Sequence, residues 1–282
     1  MTTKSDYDFY QGGIHRYLRA YIQKLGDLKG KRVLDIPCGT GRASYDFLQQ
    51  GADVLPLDLF PKFMRVEGLQ AQYADLSETL PVADQTMDYI ICEEGIEHAP
   101  NQIQVMQEFN RVLKPGGTLL LTTPNYSHIR CRISRFLFDF DYWKRVPPTE
   151  IDSIWFADEG SSKMYYGHLF LLDVQSLQSF STLSGFTVEQ RVRTKISATS
   201  LLLGVLLYPL IAFMSLLSWS IYRRRNQHIE QATKDRILFD RVKLNLSVET
   251  LFCKQIFWVL KRDRDLEGVA EHLRQLQRWT PD

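Results

Sequence analysis

Cysteine is scarce in this chain of 282 residues: there are four, Cys38, Cys92, Cys131 and Cys253, and no C-x-x-C pair among them. That pattern predicts reduced, structural thiols in a cytosolic compartment and argues against a disulfide framework. An excess of one charge is also lacking. Lys and Arg number 34 against 33 Asp and Glu, a net of +1, so no global field points to nucleic acid. The opening MTTKSDYDFY has no apolar core of the kind a secretory leader needs. No internal repeat or low-complexity tract is visible. The length suits one domain, 1–282, with insertions.

Against this plain background the stretch VLDIPCGTGR, Val33 to Arg42, stands out. It reads as a strand buried on both faces, a glycine turn and the start of a helix. Gly39 and Gly41 permit a sharp turn and close approach of a ligand. In open α/β sheets such a turn lies at the carboxyl ends of the strands, where ligands bind. A dinucleotide fingerprint would place Gly or Ala at the position of Ser44. It would also set the phosphates against Asp35, two negative groups face to face. A cationic ligand without phosphate fits better, and S-adenosylmethionine is one. A second strand, Asp53 to Leu57, leads to Asp58, 23 positions after Asp35 and near the offset of a ribose-binding acid.

DIPCGTG, the acid Asp58, YADLSETLPVADQTMDYIIC and LKPGGTLLLTTPN, in that order, resemble the class I S-adenosylmethionine-dependent methyltransferases. The first motif departs from the family pattern at Pro37, where glycine is usual. The resemblance implies a Rossmann-like α/β fold. It has a seven-stranded, mostly parallel sheet with helices on both faces, and the last strand runs antiparallel in an edge hairpin. It also implies that Asp35, Gly39, Gly41, Asp58, Leu59, Asp75 and Leu76 hold the cofactor, with Glu93 lining its edge. The strands are expected at 31–36, 53–57, 70–74, 87–92, 117–123, 186–193 and 251–262. Helices are expected at 14–24, 42–50, 61–68, 101–113, 172–184 and 266–278.

The chemistry is expected after the fourth strand, in ICEEGIEHAPN, where Glu93, Glu94, Glu97 and His98 fall within six residues. Acids also favour helix starts, so a solvated cap is the plain alternative. Histidine titrates near neutrality, and His98 is the candidate base for a hydroxyl acceptor. The spacing E-x-x-E-H is also similar to that of the ubiquinone-biosynthesis O-methyltransferases. That resemblance implies a magnesium ion on Glu94, Glu97 and His98, although histidine is an unusual ligand for so hard a cation. His168, in YYGHLFLLD, is a second candidate at the acceptor pocket, again by resemblance. His15, His128, His228 and His272 have no such context.

Two insertions complete the reading. Residues 126–167, dense in arginine and aromatics, are expected to be a lid or acceptor-binding segment, or else a small satellite core. Residues 196–247 contain ISATSLLLGVLLYPLIAFMSLLSWSIY, Ile196 to Tyr222, 27 residues without a charge. As one helix it would reach about 40 Å, enough to span a bilayer. Yet the next strand must return to the same sheet, Pro209 favours a break, and basic residues flank both ends. The expectation is an apolar helical hairpin broken at Pro209 and dipping into the cytosolic leaflet. A dimer interface or a cap over an apolar substrate is the rival. Function is thus expected to be O-methylation of a quinol, a polyprenyl-linked saccharide or another lipid at the cytosolic membrane face. A non-catalytic membrane-bound adaptor and a nicotinamide-dependent reductase are the alternatives.

Overall fold

A computed structural model describes residues 12–139, 149, 154–157, 164–225 and 229–277. In strand β1 (Arg32–Asp35), β-branched and aliphatic residues alternate between two covered faces. Val33 and Leu34 are both fully buried, on opposite sides of the sheet, and so are Ile90 and Ile91 of β4 (Met87–Glu93). Burial of both faces requires helices on both sides. Helices α1 (His15–Lys24) and α2 (Arg42–Gln49) supply Leu18, Ile22 and Phe47 to one side. Helices α3 (Gln102–Val112) and α5 (Val174–Leu183) supply Phe109 and Leu177 to the other.

The sheet also contains β2 (Asp53–Asp58), the two-residue β3 (Gln72–Tyr73), β5 (Leu113–Pro124), β8 (Phe186–Arg191) and β9 (Gln255–Arg262). Its order is β3-β2-β1-β4-β5-β9-β8. Neighbours from β3 through β5 run parallel, and β9 runs antiparallel to both β5 and β8. The expected topology is therefore present, with small corrections. The helix expected at 61–68 is only a 3-10 turn, Pro61–Phe63. The last strand starts at Gln255, because the turn of helix α8 (Val248–Leu251), capped by Ser247, precedes it. All four cysteines are free and buried.

Within 126–167 the chain forms helix α4 (Ile129–Phe138) and a separate two-stranded ribbon of β6 (Ile154–Ala157) and β7 (Met164–Tyr166). Tyr142 and Trp143 lie outside the described residues.

The second insertion corrects the expectation. Helix α6 runs unbroken from Ala198 to Tyr222 with Pro209 inside it. Its 25 residues extend about 37 Å. A hairpin does form, but its turn lies after Tyr222, and its second arm is the charged helix α7 (Gln231–Leu246). Proline costs one backbone bond and forces no turn where neither flank supplies a turn sequence. By length and composition α6 could cross a membrane. The ends of the insertion are tied together, however: Ile196 bridges Cys253, and Ser197 N–H donates to Phe252 O at 2.7 Å. The chain leaves and re-enters the sheet at one place.

The packing of α6 is reversed in polarity. The residues it buries are small: Ser200, Gly204 and Ser215. Ser200 Oγ meets His128 Nδ1 at 3.0 Å, and Ser215 Oγ accepts from Asn245 Nδ2 at 2.8 Å. A Cβ at Gly204 would stand 2.5 Å from the Phe252 ring. Most of the residues it exposes are large and apolar: Leu202 is 74%, Val205 76%, Leu206 78% and Phe213 62% exposed. On the neighbouring α4, Phe136 is 88% exposed. Water-soluble helices show the opposite arrangement, whereas small residues at the contact and apolar residues outside suit a lipid environment.

Candidate functional site

The carboxyl ends of β1, β2 and β4 open into a cleft of about 660 Å³. Asp35, Gly39, Asp58, Leu59, Asp75, Leu76, Glu93, Glu94 and His98 all line it, so most of the residues expected from sequence come together. Gly41 does not line the cleft. Its φ of +85°, with Met64 and Val66 packed where a Cβ would stand, makes it a residue of the turn itself. Gly39 has φ +52° and nothing within 4 Å of a hypothetical Cβ. The backbone is bare there, as close approach of a ligand requires. Gly95 is needed for packing, since a Cβ would collide with the Pro37 ring. Pro37, the departure from the family motif, is thus accommodated by a glycine on the next strand's loop.

The acids are buried and fixed by backbone donors. Asp58 accepts from Gly39 N–H and Phe60 N–H, each at 2.7 Å, and Asp75 accepts from Ser77 N–H at 2.8 Å. Asp35 accepts from Ser44 N–H at 2.9 Å and from Ser44 Oγ at 2.6 Å. Ser44, which spoils a dinucleotide fingerprint, therefore serves the acid that precedes it. Burial pushes Asp35 up to about 7, against the opposing effect of Ser44. Six acidic side chains line the cleft, Asp35, Asp58, Asp75, Glu78, Glu93 and Glu94, which disfavours a phosphate and suits a ligand with positive charge. These residues fit S-adenosylmethionine.

His15 was passed over in the sequence and proves central. It is 1% exposed, lines the cleft, and lies between two acids. Its Nδ1 is 2.9 Å from Glu93 Oε2 and its Nε2 is 3.1 Å from Asp46 Oδ2. Burial alone would lower its pKa, but the two acids together raise it to about 9. Arg19 joins Asp46 at 3.0 Å, and Arg42 approaches Glu93 at 3.9 Å. The signal was the position of His15 on the buried stripe of an amphipathic helix, where an isolated histidine is usually a packing residue.

Beyond Glu93, His98 Nδ1 contacts Tyr166 O of the β6–β7 ribbon at 2.9 Å. A carbonyl can only accept, so Nδ1 carries the proton and the lone pair of the neutral ring sits on Nε2. Tyr165 and Tyr166 line the cleft, and Tyr165 meets Phe60 edge-on at 6.0 Å. The His168 ring lies 5.0 Å from that of His98 but is itself exposed and outside the cleft lining. Glu97 is fully buried. Its Oε2 accepts from Thr123 Oγ1 at 3.0 Å, and Oε1 has no hydrogen-bond partner among the described residues. Burial holds both Glu94 and Glu97 above the usual carboxylate range, and repulsion from Glu97 adds to it at Glu94.

Of the candidate metal ligands expected from sequence, Glu97 and His98 lie beside His168. Glu97, His98 and His168 offer ligand atoms within 4.8 Å of one another. Glu94 instead accepts from Thr122 Oγ1 at 3.2 Å. Two imidazoles and one carboxylate suit a borderline divalent metal better than magnesium.

Comparison with known proteins gives three findings. Residues 10–191 match the family described as Methyltransferase domain. A ubiquinone biosynthesis O-methyltransferase of Xanthomonas oryzae pv. oryzae is 37% identical over 114 residues, 37% of this chain and 48% of that protein. One from Psychrobacter cryohalolentis is 31% identical over 162 residues, 49% of this chain and 63% of that protein. The chain spans about half the length of the curated relatives it matches. Among solved structures, a SAM dependent methyltransferase from Archaeoglobus fulgidus aligns with a TM-score of 0.50 at 14% identity, covering 93% of this chain and all of that one. At such identity the likeness concerns the fold alone.

Proposed function

The chain belongs to the class I S-adenosylmethionine-dependent methyltransferases, and we propose that it methylates a hydroxyl of an amphipathic or lipid-linked acceptor at the cytosolic face of a membrane. A quinol, a polyprenyl-linked saccharide or another lipid would serve, and the names of the curated relatives favour O-methylation of a quinone precursor. The observation that carries the reading is the reversed polarity of α6 in the same chain as an acid-lined cofactor cleft. Basic residues at both ends of the apolar helix, Arg193 and Lys195 before it and Arg223 to Arg225 after it, favour the cytosolic side.

Asp58 and Asp75 would hold the sugar and base of the cofactor, Asp35 and Glu93 its cationic end, and Leu59 and Leu76 its apolar faces. Bound there, S-adenosylmethionine supplies a methyl group already activated by a sulfonium. What remains for the protein is alignment and removal of one proton. His98 takes the acceptor's proton at Nε2, while Nδ1–H stays on Tyr166 O. The ribbon that bears Tyr166 thus sets the tautomer of the base. His15 keeps Glu93 turned into the cleft. A second reading gives His98 to a divalent ion together with Glu97 and His168, favoured by the Glu97 Oε1 that has no hydrogen-bond partner among the described residues. Loss of transfer on chelation, with restoration by added metal, would select it.

Calorimetric titration with S-adenosylmethionine and S-adenosylhomocysteine tests the cofactor assignment. Saturable binding of both is expected. Replacing Asp58 with Ala should weaken each about 10–100-fold, the worth of hydrogen bonds to a charged group. Unchanged affinity in the variant would remove Asp58 from the cofactor site. No binding by a folded protein would favour an adaptor.

A further inference from the structure

Between α6 and α7 lies a second groove, of about 570 Å³, that the methyl-transfer chemistry does not use. Leu210, Met214 and Leu238 give it apolar walls, and Arg132 and Arg241 reach it from beneath. These two guanidiniums are bound only by neutral acceptors among the described residues. Arg132 donates to Ser127 O at 2.6 Å and Asn245 Oδ1 at 2.7 Å. Arg241 donates to Gln175 O at 2.8 Å, Gln175 Oε1 at 3.4 Å and Ser179 Oγ at 3.1 Å. Among the described residues no acid lines the groove. Burial works against the charge of both, Arg191 adds repulsion at Arg241, and Asp173 is the nearby acid that offsets them. Trp219, also in the lining, has a buried indole N–H without an acceptor among the described residues.

Two half-buried cations without carboxylate partners among the described residues, and one orphaned buried donor, are costly to keep. An anion with oxygen acceptors would satisfy all three, and the apolar walls would take a hydrocarbon chain. We infer that this groove binds one anionic glycerophospholipid from the bilayer, its phosphate on Arg132, Arg241 and the Trp219 N–H and its acyl chain along α6. The inference rests on the membrane reading for the source of the lipid. It is distinct from that reading in requiring one stoichiometric site rather than a diffuse apolar face.

The test is native mass spectrometry of the full chain in neutral detergent with equal amounts of phosphatidylglycerol and phosphatidylcholine. One phosphatidylglycerol adduct is expected, at least about 10-fold more abundant than the phosphatidylcholine adduct, because the choline ammonium of the latter would be repelled by the two guanidiniums that hold the phosphate. Arg241→Gln should equalise the two. Trp219→Phe, which keeps the ring and removes the donor, should reduce the preference by a smaller factor. Arg132 also ties Ser127 to Asn245, so Arg241 is the safer probe. Equal adducts in the native chain, or an unchanged preference in Arg241→Gln, would overturn the site. Displacement of the lipid by inorganic phosphate alone would overturn the lipid assignment in favour of a soluble anion. The membrane reading fails separately, through absence of flotation with vesicles of any composition. At about 1 M salt diffuse surface attraction is screened within about 3 Å, and a lipid preference that persists there belongs to the groove.

Discussion

Asp58 in the cleft and Leu202 on α6 both lie where an ordinary globular protein would not put them: the acid is 6% exposed and the leucine 74%. The two regions solve opposite problems. Around the cleft, burial of charge is offset group by group, through Gly39 and Phe60 for Asp58, Ser44 for Asp35, and His15 for Glu93. Along α6 nothing among the described residues offsets the exposed apolar surface, and the residues the helix buries are Ser200, Gly204 and Ser215. The cleft is complete for a small polar ligand before that ligand arrives. The helix leaves its apolar face for an apolar surrounding to cover, so on the proposed function the two regions are built for different solvents.

The comparison can be broken from either side. The largest effect is expected for His98→Ala, which should slow methyl transfer about 10²–10⁴-fold, the usual worth of a positioned base. S-adenosylmethionine affinity should stay unchanged. Single-turnover kinetics beside a calorimetric titration would check both. The double variant Leu202→Asp/Leu206→Asp comes next. Losing two exposed leucines at roughly 1.5–3 kcal/mol each, and adding two charges, should cost at least about 100-fold in vesicle partitioning, with thermal stability and cofactor affinity retained. A variant that unfolds would show that this face is buried against protein, as in a homodimer, and one that still floats with vesicles would take the membrane contact off this face.

The smallest effect sharpens the cleft side. His15 titrates at about 9 in the folded protein against about 6.5 when unfolded. A raised value means that its stabilisation is fully present below about pH 6.5 and is lost as pH rises through 9. The shift corresponds to roughly 3 kcal/mol. Denaturant titrations of His15→Gln should show a deficit of that order near pH 6, narrowing above pH 9. A deficit independent of pH would mean that His15 contributes packing alone.

Most of the sheet and its order could be read from sequence, because the strands are apolar runs closed by turn residues such as Pro115-Gly116-Gly117 and the helices carry a clear 3.6-residue period. Asp35, Asp58 and Asp75 were legible for a related reason: each stands where a strand ends or just beyond. His15 was not, because its partners Asp46 and Glu93 are 31 and 78 positions away and nothing local marks the pairing. The placement of His168 beside Glu97 and His98 was equally hidden, since it depends on how the β6–β7 ribbon meets the loop after β4. Pro209 misled through a local rule. Its lost hydrogen bond is tolerated where α6 is held at Ser200, Gly204 and Ser215 by contacts far along the chain.

The most direct measurement is transfer of a labelled methyl group from S-adenosylmethionine into membranes, followed by partition between solvent and water. The account predicts label in the solvent-extractable lipid fraction, abolished by His98→Ala and strongly reduced by Leu202→Asp/Leu206→Asp. Label confined to water-soluble products, or transfer indifferent to the α6 variant, would contradict it.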